Sequence, residues 1–249
     1  MKRDFVAGNY SYIPAVFQYS SGVAAHPDFE IERVRFDTWM PLADGFSRIA
    51  DYILAAGRPL TSFCACELRS PAQVDENGFR AFNEHYVKTL AEWGIFDGKS
   101  ANNPVARSNV CLEIDPPGEP SFFAFSFTRP MLGASPSFVI AGGAEARGGP
   151  GSYPERITRY RESSPDAFRE KTLMTLSNME ERLTEFGVGW KDTTATQIYT
   201  VQDFHGVVAS ELARRGASRQ GMTWHFARPP VVDLEFEMDT RRVMREMVI

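Results

Sequence analysis

Asn103-Pro104-Val105-Ala106-Arg107-Ser108-Asn109-Val110-Cys111-Leu112-Glu113-Ile114-Asp115 is the stretch on which the reading of this chain turns. Side chains alternate along a strand, so Val110, Leu112 and Ile114 take one face. Arg107, Asn109, Cys111, Glu113 and Asp115 take the other. Pro104 sets the start and Pro116-Pro117-Gly118 the end, because proline cannot donate to a sheet ladder. The apolar face is expected beneath helices. The polar face is expected to point inward, toward a partner or a ligand.

The spacing on the N-terminal side supports a helix cover. Leu42, Phe46, Ile49 and Ile53 recur at helical steps over Leu42–Leu54, with Gly57 and Pro59 just beyond. Phe79, Phe82, Tyr86, Leu90 and Trp93 predict a second helix. Leu60–Leu68 alternates and predicts a strand between them, and Ser121–Phe127 predicts one more. Val16–Gly22 and Phe29–Trp39 read as earlier strands, the latter too charged for full burial. The same order recurs after roughly 110–130 residues. Ser137–Glu145 is strand-like and Arg156–Arg161 weakly so, Pro165–Phe186 is helical around Leu173, Leu176, Met179 and Leu183, and Thr193–Val201 is β-branched. A short helix over Phe204–Leu212 and strands at Gly221–Ala227 and Val231–Met238 complete the second set. Arg241, Arg242 and Arg245 read as a charged exit segment. The seam falls in Pro130–Pro136, giving domains 1–130 and 131–249 of an α+β fold.

Composition narrows the function. The 249 residues are 43% hydrophobic with a formal charge of -5, and no run of five or more basic residues is present. Nucleic acid and anionic membranes are therefore not expected partners. No apolar signal core opens the chain and no span of membrane length occurs, so a cytoplasmic location is expected. Three cysteines do not suggest a disulfide framework. Cys64 and Cys66 are one residue apart, which places both sulfurs on one strand face and suits neither zinc nor dithiol chemistry. His26, His85, His205 and His225 are scattered, so no metal is expected. Arg107 is the best functional candidate, because its planar fork of donors matches a carboxylate at any relevant pH. Glu113, six residues along the strand, lies about 20 Å away and is set aside as a base. His225 on its predicted strand, and the alternating Asp233, Glu235 and Glu237, read most simply as interface and solvated positions.

Several motifs in order resemble the RidA/YjgF imine deaminase family. They are the strand ending in Ser21-Gly22, the Phe79, Asn83, Tyr86 helix, and Ala106-Arg107-Ser108-Asn109-Val110. The second half, from Ser137 to Met238, resembles it more faintly through Phe138-Val139-Ile140-Ala141-Gly142-Gly143 and the acidic closing strand. The resemblance implies two tandem RidA-like (chorismate-mutase-like) domains, each a mostly antiparallel sheet with two helices on one face. It implies a trimer-like homo-oligomer and a cofactor-free deaminase or hydrolase. The substrate would be a small carboxylate-bearing imine or enamine of the 2-aminoacrylate or 2-aminomuconate type. Carried over by position, Arg107 anchors the carboxylate and Ser21, Gly22 and Asn83 line the pocket. Tyr10 or Tyr12 closes it, and Glu235 takes the place of the family's water-positioning glutamate. The first half has no acid on its closing strand, so the site is expected on the Arg107 half with another base, or shared between halves. A chorismatase-like hydrolase and a non-catalytic carboxylate-binding regulator are the alternatives.

Overall fold

Two sheets lie face to face, each carrying helices on its outer side. The structure, a computed structural model, describes residues 1–97, 100 and 102–249. In the first sheet the order is β1 (Arg3–Phe5), β2 (Tyr10–Ile13), β3 (Gly22–Ala25), β8 (Phe138–Ala144), β12 (Glu237–Arg242), β9 (Ala195–Tyr199) and β10 (Thr223–His225). In the second it is β11 (Ala227–Arg228), β6 (Ala106–Leu112), β5 (Phe63–Ser70), β7 (Ser121–Pro130), β4 (Phe29–Pro41) and β13 (Arg245–Val248). Neighbours run antiparallel except β5–β6, β4–β13 and β9–β10. The α+β architecture and its duplicated plan are those expected.

Helices α1 (Leu42–Ala55) and α2 (Glu76–Glu92) cover the second sheet. Phe46, Ile49, Ile53, Tyr86 and Leu90 meet Phe63, Leu68, Phe122, Phe125 and Phe127 there. Asp75 caps α2 by accepting from the Gly78 amide at 2.7 Å. On the first sheet, α4 (Pro165–Glu185) buries Phe168, Leu176, Met179 and Leu183 against Phe138, Ile140, Ile198 and Met238. A short turn, α3 (Tyr153–Arg156), precedes it, and the weakly strand-like 156–161 stretch forms one bridge, Ile157 to Ala146, before turning. The helix predicted over Phe204–Leu212 begins as α5 (His205–Val207) and continues as a π-helical stretch through Ala213.

The boundary at residue 130 separates α1 and α2 from α4, but the strands cross it. Residues of β1 to β3 join the sheet of the second half, while β11 and β13 join that of the first. The arginines read as an exit segment are structural instead: Arg241 and Arg242 end β12, and Arg245 begins β13 beside Glu32. The last long strand is likewise displaced from Val231–Met238 to Glu237–Arg242. Asp233 takes a left-handed turn (φ 69°) and accepts from Tyr160 and Arg161, which ends any extended run there. The charged β4 is not fully buried, as expected: Asp37, Thr38 and Trp39 are exposed, while the charges of its buried stretch over residues 30–34 are paired. Glu32 meets Arg129 at 2.6 Å, and Arg33 makes a two-pronged contact with Glu67 at 2.6 and 3.0 Å.

The faces of β6 are the reverse of the sequence expectation. Val110 packs between the sheets with Tyr199 and Ala227, and Ser108 donates to Asp239 across the same interface. Arg107 instead points to the α2 side, where its guanidinium lies 4.8 Å from the Tyr86 ring centre and 5.5 Å from that of Phe82. Aromatic faces accept a guanidinium, so a helix can cover a cation. A one-residue shift in the β5–β7 ladder between Phe63 and Ala65 has a similar consequence. It puts Cys64 between the sheets and Cys66 under the helices, so the two sulfurs part.

Candidate active site

Arg107 opens onto a cavity of about 550 Å³ between the halves, a volume typical of small-molecule sites. The first half contributes Tyr19, Ser21, Phe79, Arg107 and Asn109, and the second contributes Gly142, Gly143, Tyr153, Arg182 and Glu237. Arg107 is 3% exposed, and its Nη1 and Nη2 are buried without a hydrogen-bond partner. A buried charge left without hydrogen bonds is costly, and the faces of the Tyr86, Tyr19 and Phe82 rings offset part of that cost.

A bulge shapes the second wall. Between the Met238–Gly143 and Thr240–Ile140 pairs, β8 spends two residues, Ala141 and Gly142, opposite the single Asp239 of β12. The extra residue turns Gly142 toward β6. A Cβ on Gly142 would stand 3.2 Å from Ser108 Cα and would overlap the Glu237 carboxyl. Only glycine permits that approach. Its neighbour Gly143 lies under α4, where a Cβ would come within 3.0 Å of Arg182 Nη1.

Glu237 is 5% exposed and lines the cavity. Burial, reinforced by the nearby Asp239 carboxyl, pushes its pKa up to about 8, so at neutral pH it holds a proton. Arg182 donates from Nη1 to the carbonyls of Ala141 (2.8 Å) and Gly142 (3.2 Å). A buried carboxylic acid and a buried guanidinium free of hydrogen bonds thus face one space, a pairing able to support acid–base chemistry.

The residues picked from sequence are only partly gathered here. Arg107 and Ser21 line the cavity. Gly22 lies against β8, where a Cβ would meet the Val139 carbonyl at 3.0 Å. Asn83 turns back along α2 to donate to the Phe79 carbonyl at 2.6 Å. Tyr12 is buried between the sheets and Tyr10 donates to the Phe63 carbonyl, so Tyr19 is the N-terminal tyrosine beside Arg107, at 5.3 Å. Glu235 is the main correction. It accepts from Gln202 and pairs with Arg228 away from the cavity, whereas Glu237, two residues on, faces it. The displaced start of β12 moved the register of the acidic run. Glu113 is held by Arg228 at 2.9 Å.

A family model described as "2-aminomuconate deaminase CnbZ" matches residues 2–247. The chain belongs to the CnbZ family of 2-aminomuconate deaminases. A relative from Comamonas testosteroni, 2-amino-5-chloromuconate deaminase, is 51% identical over 247 residues and is covered to 98%, as is this chain. Among solved structures, a chorismatase superposes with a TM-score of 0.54 at 14% identity, over 90% of this chain and 77% of that one. That likeness is one of fold. The E. coli YjgF gene product covers 44% of the chain at 17% identity with a TM-score of 0.32, matching 81% of its own length. Among the described residues no cluster of three or more His, Cys, Asp or Glu is placed to hold a metal, and no helix is long and apolar enough to cross a membrane.

Proposed function

We propose that this protein hydrolyses an enamine or imine of the 2-aminomuconate type, releasing ammonia without a cofactor, in a site shared by its two halves. One observation carries the reading. Arg107, with two unpartnered buried nitrogens, and Glu237, protonated at neutral pH, line the same cavity from different halves. Arg107 would bind the carboxylate next to the amino-bearing carbon through a two-pronged contact. Glu237 would then protonate the enamine carbon, giving the electrophilic imine. As a carboxylate it would take a proton from water, whose oxygen bonds to the imine carbon. Returning that proton to the nitrogen of the resulting carbinolamine makes it a leaving group, and Glu237 takes the hydroxyl proton as the C–N bond breaks, so that ketone and ammonia leave and the acid is protonated as at the start. The duplicated halves would play the part that neighbouring subunits play in the expected trimer-like assembly.

The test is ammonia release from freshly generated 2-aminomuconate and 2-aminoacrylate by wild type, Arg107→Ala, Glu237→Gln and Glu235→Gln. We expect kcat/KM to fall about 100-fold or more in Arg107→Ala, and kcat to fall similarly in Glu237→Gln. Glu235→Gln should retain activity. Equal rates for wild type and Arg107→Ala would sink the site.

A further inference from the structure

Arg107 is not the sole arginine in the cavity without a counter-ion. Four arginines line it, Arg107, Arg147, Arg156 and Arg182, against Glu181, Glu185 and Glu237. Arg147 is exposed at the rim, and Arg156 is held over the Tyr153 ring at 4.5 Å while donating to the Gly151 carbonyl. Arg182, half-buried on α4, like the other three has no carboxylate within ion-pair distance among the described residues, and burial lowers its hold on its proton. One nitrogen, Nη1, is fixed by the two backbone carbonyls at the bulge, and no bond within the protein engages Nε or Nη2. The absence of a side chain at Gly143 leaves room for the guanidinium against β8.

A guanidinium taken out of water without an anion costs free energy that a ligand can recover. Here Arg107, buried, and Arg182, half-buried with Nε and Nη2 unengaged, face a single cavity from different halves. Two cationic groups in one cavity match a ligand with two negative charges better than a ligand with one.

We propose that Arg182 is the specificity residue of this site, holding the second carboxylate of a linear dicarboxylic substrate while Arg107 holds the first. The inference rests on the deaminase reading for the identity of the site, but it can be tested by binding alone. The probes are trans,trans-muconate, an unreactive six-carbon diene diacid, and sorbate, its monoacid counterpart of the same geometry, titrated calorimetrically against wild type, Arg182→Gln, Arg182→Lys and Arg107→Gln. Wild type should bind muconate about 10- to 100-fold more tightly than sorbate, the worth of one charged hydrogen-bonded contact. Arg182→Gln should reduce that ratio to near one. Arg182→Lys, which keeps the charge and lacks the fork, should hold an intermediate ratio and guards against a variant that fails to fold. Arg107→Gln should weaken both ligands. The proposal is overturned if wild type shows no preference for the diacid, if the ratio survives in Arg182→Gln, or if Arg182→Gln weakens sorbate as much as muconate. In that last case both arginines serve one carboxylate. A muconate preference that depends on Arg182, in a protein releasing no ammonia from 2-aminomuconate, would sink the reaction and leave the second anchor standing.

Discussion

Gly142 lies where any side chain would strike the carboxyl of Glu237. The bulge that brings Gly142 there is therefore part of the site, because it leaves the acid a position that no other residue on β8 would allow. Gly142→Ala should fold, since the carboxyl is the free end of a flexible side chain. The new methyl must also press on the β6 backbone at Ser108 Cα, 3.2 Å away. We expect kcat to fall about 10- to 100-fold with a small change in KM, because a displaced acid loses its contribution to proton transfer. Steady-state ammonia release with a circular-dichroism melt checks it. Wild-type kcat in a folded Gly142→Ala would show that the carboxyl does not need this position.

Glu237 links pH to both activity and stability. Its folded pKa is about 8 against an ordinary 4.5, so the native state binds the extra proton between those values. The stability it contributes is full below 4.5 and is lost as pH rises through about 8. Glu237→Gln removes that pH-dependent loss. The variant should melt a few degrees above wild type at pH 8.5, with the gain shrinking toward pH 5. Wild-type kcat should decline above about pH 8, a limb absent from the residual activity of the variant. Melting curves at the two pH values decide the first point and a kcat–pH profile the second. A variant that melts below wild type at pH 8.5 would remove the argument for a neutral, buried acid.

The sequence made the helices legible and the sheet faces less so. Helical spacing depends on local steps of three and four, and α1, α2 and α4 appeared within a residue or a few of their predicted bounds. Strand faces depend on uninterrupted alternation, and a single bulge reverses them. The shift at Cys64 and the extra residue at Ala141-Gly142 are set by packing across sheets. For the same reason Arg107, which lines the cavity, was singled out from sequence, and Glu237, which lines it too, was not. An arginine in a strand stands out by its chemistry alone, whereas choosing among Asp233, Glu235 and Glu237 required knowing where β12 begins. The one available signal was the Gly142-Gly143 pair, which marks a close approach but does not name what approaches.

Between the sheets, the Arg33–Glu67 pair is the most exposed to acid in its consequences. The Arg33 guanidinium holds the Glu67 carboxyl well below the usual carboxylate range against a strong burial penalty. Its contribution is therefore present above about 4.5 and lost as pH falls below it. Glu67→Gln leaves Arg33 buried with the partly exposed Glu246, at 3.3 Å, as its remaining ion-pair partner among the described residues. The expected cost is about 3 kcal/mol, and the acid limb of the unfolding curve should flatten. Urea titrations at pH 7 and pH 4 measure both. An equal loss at the two pH values would assign the effect to packing instead.

Lys171 and Glu145, both fully buried, form an ion pair at 3.3 Å. Glu145 also accepts from the backbone amides of Glu235 and Phe236, at 2.6 and 3.1 Å, which fixes the chain just before Glu237. Burial raises the Glu145 pKa, with Lys171 opposing the rise. Lys171→Met strands that carboxyl and should cost about 3 kcal/mol in urea unfolding. Adding Glu145→Gln removes the stranded charge while leaving a carbonyl oxygen to accept from the backbone. The double variant should therefore recover more than half of the lost stability, because breaking a buried pair costs more than neutralising both members. It should still show reduced kcat, since one amide oxygen holds residues 235 and 236 less firmly than two carboxylate oxygens do. A double variant no more stable than Lys171→Met would mean that the lysine acts through packing of its stem along α4 and not through its charge.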